Sequence, residues 1–315
     1  MEKINLPGSN HFVLQQIAEG VFAAFDIEGN AGLIDLGGQV VFFDTFQTPQ
    51  GAEDLRQAAF DLFGRTQQIV VNSHWHNDHI WGNQVFANVA QILSSSRTRQ
   101  LIAQNSQKEA DWYTANATQQ MASYQSKLRT ASDEERSEII LMADLYEGLA
   151  EAMPHFSLCL PSITFDKRIE LHGTKRTAEL IIFENGHTAS DTVLYLPQDG
   201  VLFMGDLLFV NCHPYLGEGD PQELQATLRR LENLGAKYFV PGHGPLGTRD
   251  DLLQLVNYID YCLESAQTLV SEGGGYENKI AGIKLAELYQ GWQFTFLFPD
   301  NISFLCKRLA PTACT

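Results

Sequence analysis

The sequence predicts an α/β fold in which layers of β-sheet are covered by helices. Three observations predict it. Residues 20–46 alternate short β-branched and aromatic runs with Gly-Asn and Gly-Gly pairs, which is typical of a strand meander. Helical spacing of apolar residues follows from Thr48 to Gly64 and leads directly into the strand QQIVVNS. Further short strands, beginning with SITFDKRIELHG, are followed by alternating helices and strands to the end of the chain.

A polar block from about Ser94 to Pro154 interrupts these strands. It is rich in Gln, Ala, Ser and Glu and contains almost no Gly or Pro, which predicts two or more helices. Because strands flank the block on both sides, we interpret residues 95–155 as a helical insertion within a single domain that spans residues 1–315. The insertion is a lid, a dimerisation surface or plain packing, so a homodimer stays open.

The C-terminal third predicts a helix in PQELQATLRRLENLG, a strand in KYFVPGHG and a long helix in RDDLLQLVNYIDYCLESAQTLV. Three consecutive glycines, Gly273 to Gly275, end that helix. A last helix and tail carry WQFTFLFPDNISFLCKRL. No internal repeat or low-complexity linker marks a domain boundary.

Composition favours a globular enzyme that acts on a small molecule. The 315 residues are 44% hydrophobic, which can fill a sizeable core. A balance of 21 Lys and Arg against 38 Asp and Glu gives a net charge of −17, so neither nucleic acid nor an anionic membrane is an expected partner.

The sequence also bears on the compartment. The start MEKINLPGSNHFVLQQ lacks a signal-peptide pattern, and no apolar run reaches membrane-spanning length. Five cysteines without a C-x-x-C pair suit a reducing compartment, so a cytoplasmic location is expected. These are Cys159, Cys212, Cys262, Cys306 and Cys314.

The segment SHWHNDHIWGN places three histidines and one aspartate within six residues, directly after the apolar run IVV. His74 and His76 are two residues apart, so on an extended backbone both imidazoles leave the same face and can bind one cation. Asp78 and His79 follow where the chain turns and point to a second position nearby. Imidazole nitrogen and carboxylate oxygen suit Zn²⁺, with Fe or Mn as alternatives.

Three later segments each place one further donor after an apolar run and within a Gly-containing turn. They are ENGHTASDT with His187, VLFMGDLLF with Asp206 at a strand end, and FVPGHGP with His243. A lone histidine in a Gly-rich turn is usually a surface residue, and a lone aspartate is usually a cap or turn former. Together with the first cluster, these donors instead indicate a site for two divalent ions at one edge of a sheet.

With these residues in hand, the sequence resembles the metallo-β-lactamase superfamily over about Val21 to Gly247. The resemblance implies an αββα sandwich, in which two mixed β-sheets pack face to face with helices outside and metal along one edge. It implies a first metal held by His74, His76 and His187, and a second held by Asp78, His79 and His243, with Asp206 bridging both. Asp44, at the end of VVFFD, corresponds to a position that braces the metal loop through hydrogen bonds.

Asp206 stands where one well-known class of β-lactamases has cysteine, a pattern similar to the glyoxalase II, lactonase and ribonuclease Z branches. In the mechanism that the resemblance implies, a metal-bridging hydroxide attacks the substrate, and Asp78 orients it and passes a proton to the leaving group. No G-x-S-x-G elbow offers a covalent alternative.

The segment NCHPYLGEGD is expected to face the site. His213 and Tyr215 are candidates to donate a hydrogen bond to a developing oxyanion, although Tyr215 in loop packing is an equal alternative. Trp75 and Trp81 flank the ligands and either line the pocket or pack under the loop.

The leading hypothesis is a dinuclear zinc hydrolase of a small ester, thioester, lactone or related substrate. The sequence argues against glyoxalase II activity itself, because the C-terminal part has no evident Lys and Arg cluster that would bind the carboxylates of glutathione. A phosphodiesterase or nuclease of the same fold, a β-lactamase-like amide hydrolase and a mononuclear-iron persulfide dioxygenase are the alternatives. A metal-stabilised binding module without activity is the non-enzymatic one.

Overall fold

The computed structural model describes residues 3–4, 11–64, 67–273 and 275–310. Residues 1–2 and 5–10 of the N-terminal start discussed above, Gly274 of the predicted triple-glycine stop, and Cys314 lie outside the described residues. The strands of the described part are β1 Lys3–Ile4, β2 Val13–Ala18, β3 Val21–Phe25, β4 Ala31–Asp35, β5 Gln39–Phe43, β6 Gln67–Val71, β7 Ala90–Ser95, β8 Ile163–Phe165, β9 Arg168–His172, β10 Thr177–Phe183, β11 Asp191–Leu196, β12 Val201–Phe209 and β13 Tyr238–His243.

The α-helices are α1 Pro49–Phe63, α2 Asn77–Ile80, α3 Asn83–Phe86, α4 Ser96–Lys127, α5 Asp133–Ala152, α6 Pro221–Glu232, α7 Arg249–Glu272 and α8 Leu297–Leu309. Short 3₁₀ turns cover Met153–His155, Ile280–Gly282 and Glu287–Tyr289.

The strands form two mixed sheets. The first has the order β1 to β8 in sequence, and it is antiparallel from β1 to β5 and parallel from β5 to β8. The second has the order β13-β12-β11-β10-β9 and is antiparallel except for the parallel pair of β12 and β13. Two mixed sheets with helices outside confirm the predicted αββα sandwich.

The main core lies between the two sheets. Ile34 and Val41 of the first sheet share it with Leu194 of the second, and each is fully buried. Phe43 and Phe203 meet across the interface with ring centroids 5.8 Å apart. Their alternation with outward residues is the period of two that places one face of each strand inward.

Helices cover the outer face of each sheet. Leu55 of α1 packs on the first sheet, whereas Leu228 of α6 and Leu255 of α7 pack on the second. The ends of α1 were predicted from sequence. Thr48 accepts a hydrogen bond from the Gly51 backbone N–H at the N-terminus, and Gly64 follows the helix with φ 73°, a left-handed conformation that glycine tolerates.

The polar block, predicted to hold two or more helices, forms α4 and α5. Ser95 caps α4 by accepting from the Thr98 N–H, and Ser132 with Glu135 forms a capping box on α5. Helices α4 and α5 pack on the segment that follows β6 and carries His74 to His79, here called the metal loop. The contact is an apolar cluster that includes Trp81 and Leu149. Most of α4 faces solvent, which explains its polar composition.

Candidate metal centre

The loop after β6 bridges the two sheets before it delivers any ligand. The Asn72 N–H donates to the Leu93 carbonyl of the first sheet, and the Thr192 N–H of the second sheet donates to the Ser73 carbonyl. The chain bends at Ser73, His74 and Trp75, His76 is extended with ψ 148°, and the short helix α2 begins at Asn77. His74 and His76 therefore precede the helix, and Asp78 and His79 lie within it.

The first group of donors gathers His74, His76, His187 and Asp206, whose ligand atoms all lie within 4.8 Å of one another. The His187 Nε2 is 3.0 Å from His76 Nδ1 and 3.2 Å from Asp206 Oδ2. The His74 Nε2 is 3.7 Å from the same Asp206 oxygen. Three imidazoles and one carboxylate thus face a common point.

The second group gathers Asp78, His79, Asp206 and His243 within the same 4.8 Å limit. The His243 Nε2 is 3.1 Å from Asp78 Oδ2 and 3.5 Å from Asp206 Oδ1. The His79 Nε2 is 3.4 Å from Asp78 Oδ2 and 3.1 Å from Asp206 Oδ1.

Asp206 belongs to both groups, because Oδ2 faces the first and Oδ1 faces the second. The sequence placed this residue at a strand end, but β12 continues to Phe209. The pairing of β12 with β13 is irregular on both sides of Gly205, which has φ 52°. Such an irregularity re-aims a side chain and is common next to functional sites.

These donors fit divalent ions. The Nε2 atoms of His74 and His79 and the Oδ1 atom of Asp206 are buried without a hydrogen bond. Burial alone would raise the pKa of Asp206, but the surrounding histidines, with His79 first, hold it well below its usual range. An anionic carboxylate among buried imidazole nitrogens is the donor set that Zn²⁺ and related cations bind.

His187 of the first group and His243 of the second differ in how readily they lose a proton. Burial lowers the pKa of His187 to about 4, so it presents a free lone pair at neutral pH. Burial opposes protonation of His243 as well, but Asp206 and then Asp78 outweigh it and raise its pKa to about 9. His243 would therefore lose this proton if it held a metal ion in the second group.

Asp44 braces the loop from behind. Its Oδ1 accepts the Ser73 backbone N–H at 2.7 Å, and its Oδ2 lies 2.9 Å from the Nδ1 of His79. This leaves Nε2 of His79 to face the second group. Asp44 has φ 63°, a conformation that Asp adopts more readily than most residues and that marks functional sites.

The loop that carries His187 is held by a buried aspartate that the sequence did not single out. Asp191 accepts the backbone N–H groups of His187 at 2.9 Å and of Thr188 at 3.0 Å. On the opposite side, the Asn30 side chain donates to the carbonyls of Pro241 and Gly244, which flank the turn of His243. Both ligand loops are thus fixed by side chains from other segments.

Tyr215 lies beside the first group. Its ring centroid is 6.1 Å from that of His76 and 6.3 Å from that of His187. It also packs edge-on against Phe304 at 5.5 Å. Its role as a hydrogen-bond donor to an oxyanion stays a prediction.

His213 corrects the sequence-based expectation. Its side chain has no exposed surface, its Nδ1 lies 2.8 Å from the Tyr258 hydroxyl, and its ring packs against Trp292 and Phe298. The backbone N–H of His213 donates to the Gln293 carbonyl, and the His213 side chain lies in the C-terminal core. A residue with no exposed surface cannot meet a substrate.

The two tryptophans of the metal loop have different environments. Trp81 is 1% exposed and packs against Tyr113 of α4 and against Phe156, with ring centroids 5.5 Å and 4.9 Å away. Trp75 is half-buried, and its indole N–H donates to Glu218. Trp81 therefore packs under the loop, and Trp75 stands at its rim.

Two acidic residues beside the cluster were missed from sequence. Glu218 lies within 3.0 Å of the Nε2 of His76. Burial raises the pKa of Glu109 of α4 to about 7. The glycines on both sides of Glu218 were a usable signal, whereas Glu109 is one of many polar residues in α4 and had none.

Comparison with known proteins bears on the identity of this arrangement. The family described as the metallo-beta-lactamase superfamily matches residues 25–243. The chain belongs to the metallo-beta-lactamase superfamily. The superfamily consists of metal-dependent hydrolases, which is the enzyme class predicted from the sequence. The His and Asp cluster of this chain is positioned for metal binding.

Individual relatives are distant. A Beta-lactamase-like protein 2 homolog from Caenorhabditis elegans is 25% identical over 137 residues, which are 41% of this chain and 43% of that protein. The chain thus matches less than half the length of this curated relative.

Two solved structures share the fold. The Metallo-beta-lactamase from Pontibacter korlensis has a TM-score of 0.55 at 19% identity over 82% of this chain and 98% of its own. TMB-1 has a TM-score of 0.57 at 15% identity over 80% of this chain and 99% of its own. In the described part of the chain, no helix is long and apolar enough to cross a membrane.

Proposed function

We propose that the protein is a hydrolase with two divalent metal ions, zinc in both positions, and that its substrate is a small ester, thioester or lactone. One observation carries the proposal: the two oxygens of Asp206 face two separate groups of donors, each of which includes at least two imidazoles. A single-ion site would have no use for the second group. The oxygen donor at Asp206 supports the glyoxalase II and lactonase-like branch.

The exposed fractions of the donors define the side from which substrate approaches. The side chains of Asp78, His76 and His243 are 23%, 17% and 10% exposed, whereas those of His79 and His187 are fully buried. When bound, two such ions polarise a substrate oxygen and lower the pKa of a water molecule toward about 7. Substrate therefore reaches the site over Asp78 and His76.

The side chains around that opening supply proton transfer and charge stabilisation. Burial would raise the pKa of Asp78, but His79 and then His243 hold it well below its usual range, so it is a carboxylate. In this role Asp78 orients the attacking water, accepts its proton and returns it to the leaving group. Tyr215 stays protonated, since burial raises its pKa, and it can donate to the developing oxyanion.

The test combines metal analysis with a substrate panel. We expect about two zinc ions per chain and hydrolysis of a lactone or thioester that stops when a chelator removes the metal. Asp206→Asn should lower the metal content. It should also lower kcat/KM by more than the roughly 100-fold that is lost when a residue hydrogen-bonded to a metal ligand is removed. Asp144→Asn, an exposed position on α5, is the matched control and should change neither.

Other outcomes would contradict the proposal in identifiable ways. One iron per chain together with oxygen uptake would indicate the persulfide dioxygenase instead. Hydrolysis of a phosphodiester or a β-lactam alone would keep the two-ion site and replace the substrate class. The cytoplasmic location and the homodimer stay predictions.

A further inference from the structure

Glu218 has contacts that the metal cluster itself does not require. It lies in the segment Gly217–Asp220, after the loop that carries Tyr215. Its carboxylate accepts the indole N–H of Trp75 at 2.9 Å and 3.0 Å, one distance to each oxygen. One of the same oxygens is 3.0 Å from the Nε2 of His76. Two consecutive residues of the metal loop therefore meet one carboxylate from 142 residues away.

This contact decides which nitrogen of His76 is free. A carboxylate only accepts, so Nε2 carries the proton and Nδ1 keeps its lone pair. The Nδ1 is the atom that lies 3.0 Å from the His187 Nε2 within the first donor group. The other histidines of the metal loop use the opposite arrangement, since the Nδ1 of His74 contacts Ser73 Oγ and that of His79 contacts Asp44.

The backbone around Glu218 is fitted closely enough to fix the carboxylate. A Cβ on Gly219 would stand 1.8 Å from the Gly186 carbonyl oxygen, and one on Gly217 would stand 2.6 Å from the Tyr215 ring. The Gly219 N–H donates to the His187 carbonyl at 2.8 Å. The Glu218 carbonyl in turn accepts from Arg308 at 2.9 Å. The segment is thus docked on the His187 loop, and it allows only glycine on both sides of Glu218.

We propose that Glu218 is a positioning residue for the first metal ion, because it holds His76 in the tautomer that offers Nδ1 as the ligand atom. The inference rests on the proposed two-ion function. Trp75 has a supporting role, since its N–H holds both oxygens of the carboxylate in place. Outer partners of this kind are expected to change metal affinity by about 10- to 100-fold.

The test measures the affinity of each ion separately by zinc titration against a competing chelator. Glu218→Ala should weaken the first-group ion by about 10- to 100-fold and leave the second-group ion unchanged. Glu218→Gln, which keeps the shape and one acceptor oxygen, should recover most of that loss. Glu223→Gln, an exposed position on α6, is the matched control and should bind both ions like the wild type.

A spectroscopic readout separates positioning from mere folding. In protein with ¹⁵N-labelled histidine, the His76 ring should show Nε2 protonated in the wild type, and Glu218→Ala should lose this preference. If the alanine variant does not fold, Trp75→Phe, which removes the N–H that holds both Glu218 oxygens, carries the comparison, with Glu218→Gln as the variant expected to stay close to the wild type. Wild-type affinities and an unchanged His76 tautomer in Glu218→Ala would overturn the inference alone. A wild type that binds no ion would instead overturn the proposed function.

Discussion

Gly242 lies against Asp206 so closely that a Cβ on Gly242 would stand 1.9 Å from the Asp206 Oδ1 atom. Gly242 immediately precedes the ligand His243 in β13, and Asp206 lies on the neighbouring strand β12. The carboxylate that faces both donor groups therefore occupies space that only glycine leaves open. This relationship leads to the first prediction.

Gly242→Ala is expected to displace Asp206 and to reduce metal binding in both groups. The Cβ would also stand 2.8 Å from the Asp206 backbone nitrogen, so the strand cannot relax away without losing its pairing. Zinc stoichiometry and lactone or thioester hydrolysis measure the effect. Gly282→Ala is the control, because a Cβ there meets nothing within 4 Å. Two tightly bound zinc ions in Gly242→Ala would contradict the prediction.

Asp44→Asn is expected to weaken the second ion by about 10- to 100-fold and to spare the first. Asparagine keeps the acceptor for the Ser73 N–H but cannot present a second oxygen to the Nδ1 of His79. Asparagine also tolerates the φ of 63°, so the backbone stays in place. Ion-specific zinc titration checks the prediction. An equal loss of both ions, or a similar loss in the exposed control Asp61→Asn, would speak against it.

Trp81→Ala is expected to lower the free energy of unfolding by about 3–5 kcal/mol, because it leaves a cavity between the metal loop and the helical insertion. Trp81 is 1% exposed and packs on Tyr113 and Phe156. Trp112→Ala, at an α4 position that is 47% exposed, should cost about 1 kcal/mol or less. Urea unfolding of both variants measures the difference. Equal losses would mean that the insertion does not depend on Trp81.

His213 is expected to make the metal-free protein lose stability in mild acid. Burial lowers its pKa from 6.5 to about 4 in the folded state, so protons bind preferentially to the unfolded chain between these values. Stability is therefore full above pH 6.5 and falls as the pH drops toward 4, by about 1.4 kcal/mol per pH unit and about 3 kcal/mol in all.

Urea unfolding with chelator present, from pH 7 to pH 4, tests this expectation against His213→Gln, which cannot titrate. Other groups change the stability of both proteins, so the difference between the two curves isolates the histidine. The wild type should approach or fall below the variant as the pH decreases. Parallel curves would show that His213 does not contribute.

The sequence was most informative where the signal is local. The helix from Thr48 to Gly64 could be predicted because its cap and its terminating glycine lie next to the apolar stripe. The cluster from His74 to His79 could be interpreted because its four members lie within six consecutive residues. The strand β2 was not predicted, since VLQQIA has no regular alternation and its burial depends on neighbouring strands.

The contacts that the sequence did not reveal join distant segments. Trp75 meets Glu218 across 143 positions, and no spacing rule connects them. The error for His213 has the same origin, because its partner Tyr258 lies 45 residues later in a helix that fills the C-terminal core. Motif patterns place donors near a strand edge, but they do not show which loop side chains turn inward.

Each donor group draws two members from the segment after β6 and two from the second sheet or, for His187, from the loop that joins its strands β10 and β11. In the proposed enzyme, every ion therefore acts as a cross-link between the two halves of the sandwich. A ribosome-bound nascent chain cannot complete the second group until His243 has emerged, long after His79. Zinc would then bind late in biosynthesis. Loss of zinc would first weaken the interface between the two sheets, and the strands within each sheet would stay paired.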